Sequence, residues 1–509
     1  MGDPLEAKSG TVGKKTVKAS IWLLTGVFYS RLANLAMIII LARILVPADF
    51  GLVALGTTLL TILLAVTDLS LANALIHHKE PTKADFDTAF TLSGIRGAIL
   101  ALIMIVSGFV MADIYQDPRL IGVCAGLSTR PLLNGLRSPN FVRYAIDLDF
   151  KTISISEALE YTAQLIVSVA VAFVTQSYWA IVAGAVAASV SGIITSYYYS
   201  PYRPGFSVAS WRKIIGFSIW LTFNQFVSIV GNRFDNFIAG GVLGVATFGA
   251  YSVGNNISQM ITQSATQPLE RVLFPSFAKM TGDKRRLAEA YQKSQASLFA
   301  IGMPLGVGLA LVADPFVYLM LGPNWTVAVE VIRFIAPVLG IQIVFGPANA
   351  LAYAVGATRQ LFNRGMVLLL LRVPIVILGL YFYGLTGLLV ARTISGGIFL
   401  SMANFYLIRS LTGLSTWQQL TVTWRSWLSG AAMVGIVLAA DSFMGPIKST
   451  MQASIALVVM CLLGAIVYCA VHAVLWILGG KSSIGIESEV VKILKRMLHV
   501  VQNRRGKFA

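Results

Sequence analysis

Charge is what this sequence has least of, and acid is scarcer than base. Only 12% of its 509 residues are Asp, Glu, Lys or Arg, where a soluble globular chain carries about 25%. A mean hydropathy of +0.75 goes with that deficit. No stretch has the composition of a soluble domain, so the chain must use lipid as part of its solvent. Cysteine is nearly absent. Cys124, Cys461 and Cys469 sit in apolar runs without disulfide or metal spacing and read as packing residues. Four histidines leave little for metal chemistry, and His77 and His78 share a polar loop with no ligand set around them. Phosphate-loop glycines are missing as well. Gly480-Lys481-Ser482 has leucine at 475 where the loop needs glycine, and Gly13-Lys14-Lys15-Thr16 fails the spacing. Asp85-Phe86-Asp87 and Asp147-Leu148-Asp149 match a short metal-holding pattern, yet neither has a nucleotide-sugar domain around it. No catalytic residue, metal or cofactor is expected.

What is present is an internal repeat. Ser20 to Gly51 returns, 198 positions later and without a gap, as Ser218 to Gly249 with 12 identities in 32 positions. Ser20-Ile21-Trp22-Leu23 reappears as Ser218-Ile219-Trp220-Leu221, Asn34 as Asn232, and Phe50-Gly51 as Phe248-Gly249. Shared apolar composition does not explain a matched Trp, Asn and Phe-Gly pair. Two homologous halves, each opening with the same helical hairpin, are a common plan for secondary transporters, with substrate bound where the halves meet.

Apolar stretches of about 20 residues predict an all-α integral membrane protein, since lipid obliges the backbone to satisfy its own hydrogen bonds. Fourteen spans are predicted, at about 20–45, 50–75, 88–112, 119–137, 153–175, 179–200, 214–242, 247–273, 294–313, 327–355, 365–383, 385–408, 426–441 and 453–478. The organisation is a basic N-terminus (1–19), an N-lobe of six spans (20–200), an inter-lobe linker (201–213), a C-lobe of six (214–408), two further spans (409–478) and a basic amphipathic tail (479–509). No cleavable signal peptide is expected. With this topology 28 Lys and Arg fall on the inner side and only Arg119 and Lys448 on the outer. The asymmetry places both termini in the cytoplasm, and anionic lipid is an expected partner.

The nine remaining basic residues lie inside or at the edges of spans, and all are arginine: Arg31, Arg43, Arg96, Arg130, Arg233, Arg271, Arg333, Arg372 and Arg392. Arg43 and Arg271 are near span ends, where they can snorkel. Arg333 pairs with Glu330 or reaches the interface. A deeper charge costs at least ~2.5–3.5 kcal/mol and usually faces a cavity or a partner. Acids to neutralise the deep arginines are fewer: Asp68, Asp235, Glu270 and Glu330, with Glu157 and Glu160 where the fifth span begins. Structural ion pairs are one reading. The other is a water-filled cationic cavity, in which planar guanidinium forks suit phosphate.

Polar stripes favour the cavity. The seventh span carries Gln225, Ser228, Asn232, Asp235 and Asn236 on one face, and the eighth carries Asn255, Asn256, Gln259, Gln263, Thr266, Gln267 and Glu270. Interhelical hydrogen bonding is the plainer explanation, but the stripe is long and amide-rich. Arg31 and Asn34 on the first span, and Thr57, Thr61 and Asp68 on the second, match it weakly. The candidate substrate-binding set is Arg31, Asn34, Asp68, Arg96, Gln225, Asn232, Arg233, Asp235, Asn255, Gln259, Gln263 and Arg372.

The repeat, the span count and the segment Leu41-Ala42-Arg43-Ile44-Leu45-Val46-Pro47-Ala48-Asp49-Phe50-Gly51 resemble the polysaccharide transporter family. That family comprises the Wzx-like and exopolysaccharide-export flippases of the multidrug, oligosaccharidyl-lipid and polysaccharide exporter superfamily. The resemblance implies two six-helix lobes around a central cavity, alternating access, and location in a bacterial inner membrane. It also implies an undecaprenyl-pyrophosphate-linked oligosaccharide as cargo, for exopolysaccharide or O-antigen assembly, with a polymerase and chain-length machinery as further partners and no nucleic acid. A lipid II flippase shares the fold. A cation-coupled drug exporter would need an acidic cavity, and a polymerase would need a large outer loop that is absent here.

Overall fold

A computed structural model describes residues 4–67, 82–147, 149–210, 231, 233–445, 447, 449–480, 485 and 487, without the side chains of 4–21, 66 and 263–272. The described residues are overwhelmingly helical, and among them ten segments are long and apolar enough to cross a membrane. Their core is held differently from that of a soluble protein. Lipid is as apolar as leucine, so cohesion comes from close packing of small residues and from interhelical hydrogen bonds.

The chain divides into two compact units, residues 1–253 and 254–509. The first opens with α1 (Pro4–Ile44), which runs through the basic N-terminus into the apolar stretch from Trp22. No proline interrupts it before Pro47, which starts α2 (Pro47–Val66). The turn is set by Asp49, whose carboxylate accepts from the Val46 amide (3.2 Å) and from the Tyr178 amide (3.2 Å). α3 (Lys83–Tyr115) begins on the capping box of Thr82 and Asp85. α4 (Arg119–Gly135), α5 (Phe150–Thr175) and α6 (Trp179–Tyr199) follow. α3 packs along α4, α5 along α6, and α1 along α5. Residues 233–243 are helical and belong to this unit.

The unit boundary falls within α7 (Val245–Ala278). The second unit continues with α8 (Lys284–Leu311), α9 (Ala313–Met320), α10 (Thr326–Gln342), α11 (Gly346–Ala354), α12 (Thr358–Thr393), α13 (Leu400–Thr412), α14 (Thr416–Thr421), α15 (Trp424–Met444) and α16 (Thr450–Leu478). Its core gathers Phe277, Tyr291, Phe299, Phe345, Met433 and Tyr468. The eleventh and twelfth predicted spans form one helical run with no loop. They are separated by Gly384 at φ +56, beside the exposed rings of Tyr381, Phe382 and Tyr383. Glycine adopts that backbone without the Cβ penalty other residues meet.

Of the predicted spans, the fourth is the 17-residue α4, and the eighth is the more polar α7. The seventh lies mostly outside the described residues, as do the N-terminal residues 1–3 and nearly all of the tail.

Residues 201–210, expected from sequence to belong to a linker between the halves, are fastened to α3. Asp87 accepts from the Tyr202 hydroxyl (2.8 Å) and from the Gly205 amide (2.8 Å). The Ser207 and Ser210 amides donate to Thr91 (3.1 Å) and Thr88 (3.3 Å). Burial, reinforced by the Asp87 carboxylate, pushes the Tyr202 phenol well above its usual range. Asp85 and Asp87, read from sequence as a short metal-like pattern, are thus a helix cap and a linker anchor.

Candidate functional site

α1 brings Arg31 and Asn34 to adjoining turns of one face, both half-buried. The helix is fixed to α5 by the Tyr29 hydroxyl against Thr162 Oγ1 (2.7 Å) and by Ser154 donating to Trp22 O (3.0 Å). Ser30, Thr57 and Thr61 return their hydroxyls to their own helices (2.6–2.8 Å to Gly26, Val53 and Thr57 carbonyls).

Arg96, on α3, has a definite structural engagement. Its Nη2 donates to Leu64 O (2.8 Å) and its Nε to Thr67 Oγ1 (3.0 Å), at the end of α2. The last carbonyls of a helix have no partner within it and carry the negative end of its dipole, so a guanidinium there satisfies and stabilises them. Leu64 and Thr67 are neutral acceptors, and these contacts orient the guanidinium.

In the helical residues 233–243, Arg233 is half-buried and Asp235 is fully buried, its carboxylate accepting from the Asn236 amide (3.1 Å). The segment is held on α3 by the Tyr115 hydroxyl donating to Phe237 O (2.7 Å).

In the second unit Asn255 is buried and its Oδ1 accepts from Arg392 Nη1 (3.0 Å). Gln259, one turn on, is half-buried, while Asn256 is exposed. Arg392 lies two residues before a π-helical turn at Ile394–Phe399, where Gln342 donates to Gly396 O (3.1 Å). π-turns of this kind are frequent at functional sites. Arg372, half-buried, lies on α12. Arg364, counted from sequence only as an inner-side charge, donates to Asn404 Oδ1 (2.6 Å) and Asn349 Oδ1 (2.9 Å). Nothing in the spacing of those three residues reveals that network.

Arg333, expected to pair with Glu330 or to reach the interface, is more than half exposed. It pairs with Asp314 of α9, while Glu330 accepts from Thr386 Oγ1 (3.2 Å). Asp314 lies on the short helix preceding α10, and sequence separation hid its proximity. Asp68, Gln225, Asn232 and the Gln263 side chain lie outside the described residues. Arg31, Asn34, Arg96, Arg233 and Asp235 fall in the first unit, and Asn255, Gln259 and Arg372 in the second.

A model of the family described as polysaccharide biosynthesis protein matches residues 40–330, more than half of the chain. The chain belongs to that family. It is 23% identical over 419 residues to the lipopolysaccharide biosynthesis protein WzxC of Escherichia coli K12, covering 81% of this chain and 84% of WzxC. The succinoglycan biosynthesis transport protein ExoT of Rhizobium meliloti is 24% identical over 341 residues, 65% of this chain and 68% of ExoT. Among solved structures, the lipid II flippase MurJ in an inward closed conformation superposes with a TM-score of 0.70 at 12% identity, covering 89% of this chain and 98% of MurJ. At that identity the likeness shows the fold. This member of the polysaccharide biosynthesis protein family therefore has an all-helical membrane architecture, as its sequence leads one to expect.

Proposed function

We propose that the protein is a flippase. It carries an undecaprenyl-pyrophosphate-linked oligosaccharide repeat unit from the inner to the outer leaflet of a bacterial inner membrane, by alternating access through a cationic cavity. The observation that carries this reading is how the deep arginines are held. Arg392 bonds the amide oxygen of Asn255, and Arg96 bonds Leu64 O and Thr67 Oγ1. These contacts hold guanidiniums at fixed places within apolar helices, where a charge is costly and usually faces a cavity or a partner. Family membership and the names of WzxC and ExoT support a polysaccharide-related cargo and a transporter rather than an enzyme.

In this mechanism Arg31, Arg96, Arg233 and Arg372 attract the pyrophosphate through bidentate bonds. Asn34, Asp68, Gln225, Asn232, Asp235, Asn255, Gln259 and Gln263 hydrate the glycan, and the polyprenyl chain stays in lipid. A polymerase with its chain-length machinery would consume the product on the outer face. Reconstitution with a fluorescent lipid-linked oligosaccharide tests the reading. Wild-type protein should move the substrate across the bilayer and Arg31→Ala/Arg233→Ala should not, at equal membrane insertion. Undiminished transport by the double variant would sink the proposal.

A further inference from the structure

α4, α5 and α6 leave a groove of about 670 Å³ between them, wholly within the first unit. Its wall is made where small residues replace large ones: Gly126 on α4, Ala163 on α5, Ala183 and Ala187 on α6. The wall offers water little, since the Thr129 hydroxyl is returned to Gly126 O (2.7 Å), and apolar cavities of this kind stay dry. In a membrane the occupant of such a groove is hydrocarbon.

Its length says which hydrocarbon. The lining runs along α6 from Trp179 to Ile194, about 22 Å at ~1.5 Å per residue. The hydrocarbon core of a bilayer is about 30 Å thick, so one leaflet accounts for about 15 Å. An acyl chain of a phospholipid belongs to one leaflet, and the groove outruns it. A polyisoprenoid chain is long enough to pass the midplane.

A charge stands beside the groove. Arg130 follows Thr129 on α4, and its Nε is buried without a hydrogen-bond partner among the described residues. Glu160 lies within electrostatic reach of Arg130, but its carboxylate is bonded to Arg137 (2.7 Å). That ion pair is seated against Gly192 of α6, where a Cβ would stand 2.1 Å from Arg137 Nη2. Arg130 thus stands one helical turn beyond the lining Gly126, on the same face of α4, with donor capacity left on its guanidinium.

We infer that this groove is a seat for the chain of a polyprenyl phosphate, with the phosphate met by Arg130. It is a holding site for the carrier on the first unit, separate from the arginines proposed for translocation. The inference rests on the flippase reading for the class of carrier and on the groove for its place.

The test measures undecaprenyl phosphate binding to the full-length protein in phosphatidylcholine nanodiscs, with phosphatidylglycerol as competitor. Ala187→Trp fills the groove, and Arg130→Gln removes the charge. Each should weaken binding about tenfold, the size of one lost charge-assisted contact or one blocked chain seat. Arg130→Lys should restore most of the affinity, and Val174→Trp, at an 85% exposed position outside the groove, should bind as wild type. Should Ala187→Trp fail to fold, Val190→Trp, at a 40% exposed rim position, blocks the same groove. Unchanged binding in the tryptophan variants overturns the inference, as does equal displacement by phosphatidylglycerol, which would make this a general lipid contact. Transport measured in parallel separates the two proposals. Groove-sensitive binding by a wild type that moves no lipid-linked glycan refutes only the flippase reading, and groove-insensitive binding by an active flippase refutes only this one.

Discussion

Gly51 rests against the backbone of Val245, and a Cβ at Gly51 would lie 2.0 Å from the Val245 carbonyl oxygen. The reciprocal contact also exists: a Cβ at Gly249 would lie 1.8 Å from Pro47 O. Gly249 is the repeat counterpart of Gly51, and Val245 that of Pro47. The two copies of the hairpin turn meet across an approximate two-fold relationship, each glycine admitting the other copy's chain. Gly51→Ala and Gly249→Ala should each destabilise the protein by about 1–3 kcal/mol through overpacking, and by similar amounts. Gly94→Ala, where a Cβ meets nothing within 4 Å, should be neutral or stabilising, since alanine is the better helix former. Thermal unfolding in detergent reads all three.

That contact marks what could be read in the sequence and what could not. The repeat and its matched Phe-Gly pairs were visible because identity at a fixed offset needs no geometry. The helical spans were visible because lipid leaves few backbone alternatives. The reason for the glycines was not visible, because it lies in a contact between residues some 200 positions apart. The same holds at the candidate site. Depth and residue type singled out Arg96 and Arg392, and the amide stripe singled out Asn255, but neither the Arg392–Asn255 bond nor Leu64 as an acceptor of Arg96 was legible. Arg364 was discounted as an inner-side charge, though Asn349 and Asn404 close around it.

Asp87 anchors the linker through Tyr202 and Gly205. Asp87→Ala leaves two donors without their acceptor, at a cost of about 1–3 kcal/mol for each that stays buried. The backbone amides of Gly205, Ser207 and Ser210 should then exchange with solvent at least tenfold faster, while amides in the middle of α3 keep their protection. Hydrogen-exchange mass spectrometry resolves the two segments. Unchanged exchange at 205–210 would mean the linker is held by its other contacts.

Glu487, nine residues beyond α16, reaches back to Arg425 of α15 (2.7 Å) and to His472 Nδ1 of α16 (3.2 Å). Arg425 and Glu487 are only 11% and 12% exposed. Burial works to raise the Glu487 carboxyl, but its bond with His472 and the Arg425 charge outweigh burial and hold it below the usual carboxylate range. A depressed carboxyl contributes stability that is present above its unfolded value, about 4.3, and is lost as pH falls through its lower folded value. Glu487→Gln should cost about 1–3 kcal/mol at neutral pH, because it takes an ionised acceptor away from the buried Arg425 guanidinium. The variant should also lose less stability than wild type on acidification below about pH 4. Melting temperatures of both proteins across that window decide the matter.

Arg96 separates structure from transport most cleanly, because its contacts can be removed without removing its charge. Thr67→Val deletes the acceptor of Nε and leaves Nη2 on Leu64 O. The expected loss is about 1 kcal/mol of stability, with the guanidinium still charged and still held at the end of α2. Arg96→Gln removes the charge. If the positive charge serves the substrate, Thr67→Val should transport a lipid-linked oligosaccharide at nearly the wild-type rate while Arg96→Gln loses at least tenfold. The loss should exceed anything its melting temperature explains. Were Arg96 only a brace for α2, the two variants would fall together, each in proportion to its lost stability. Salt supplies an independent check on the same pair, since an interior guanidinium is screened far less than an exposed one. Raising ionic strength should therefore leave the Arg96→Gln deficit in place.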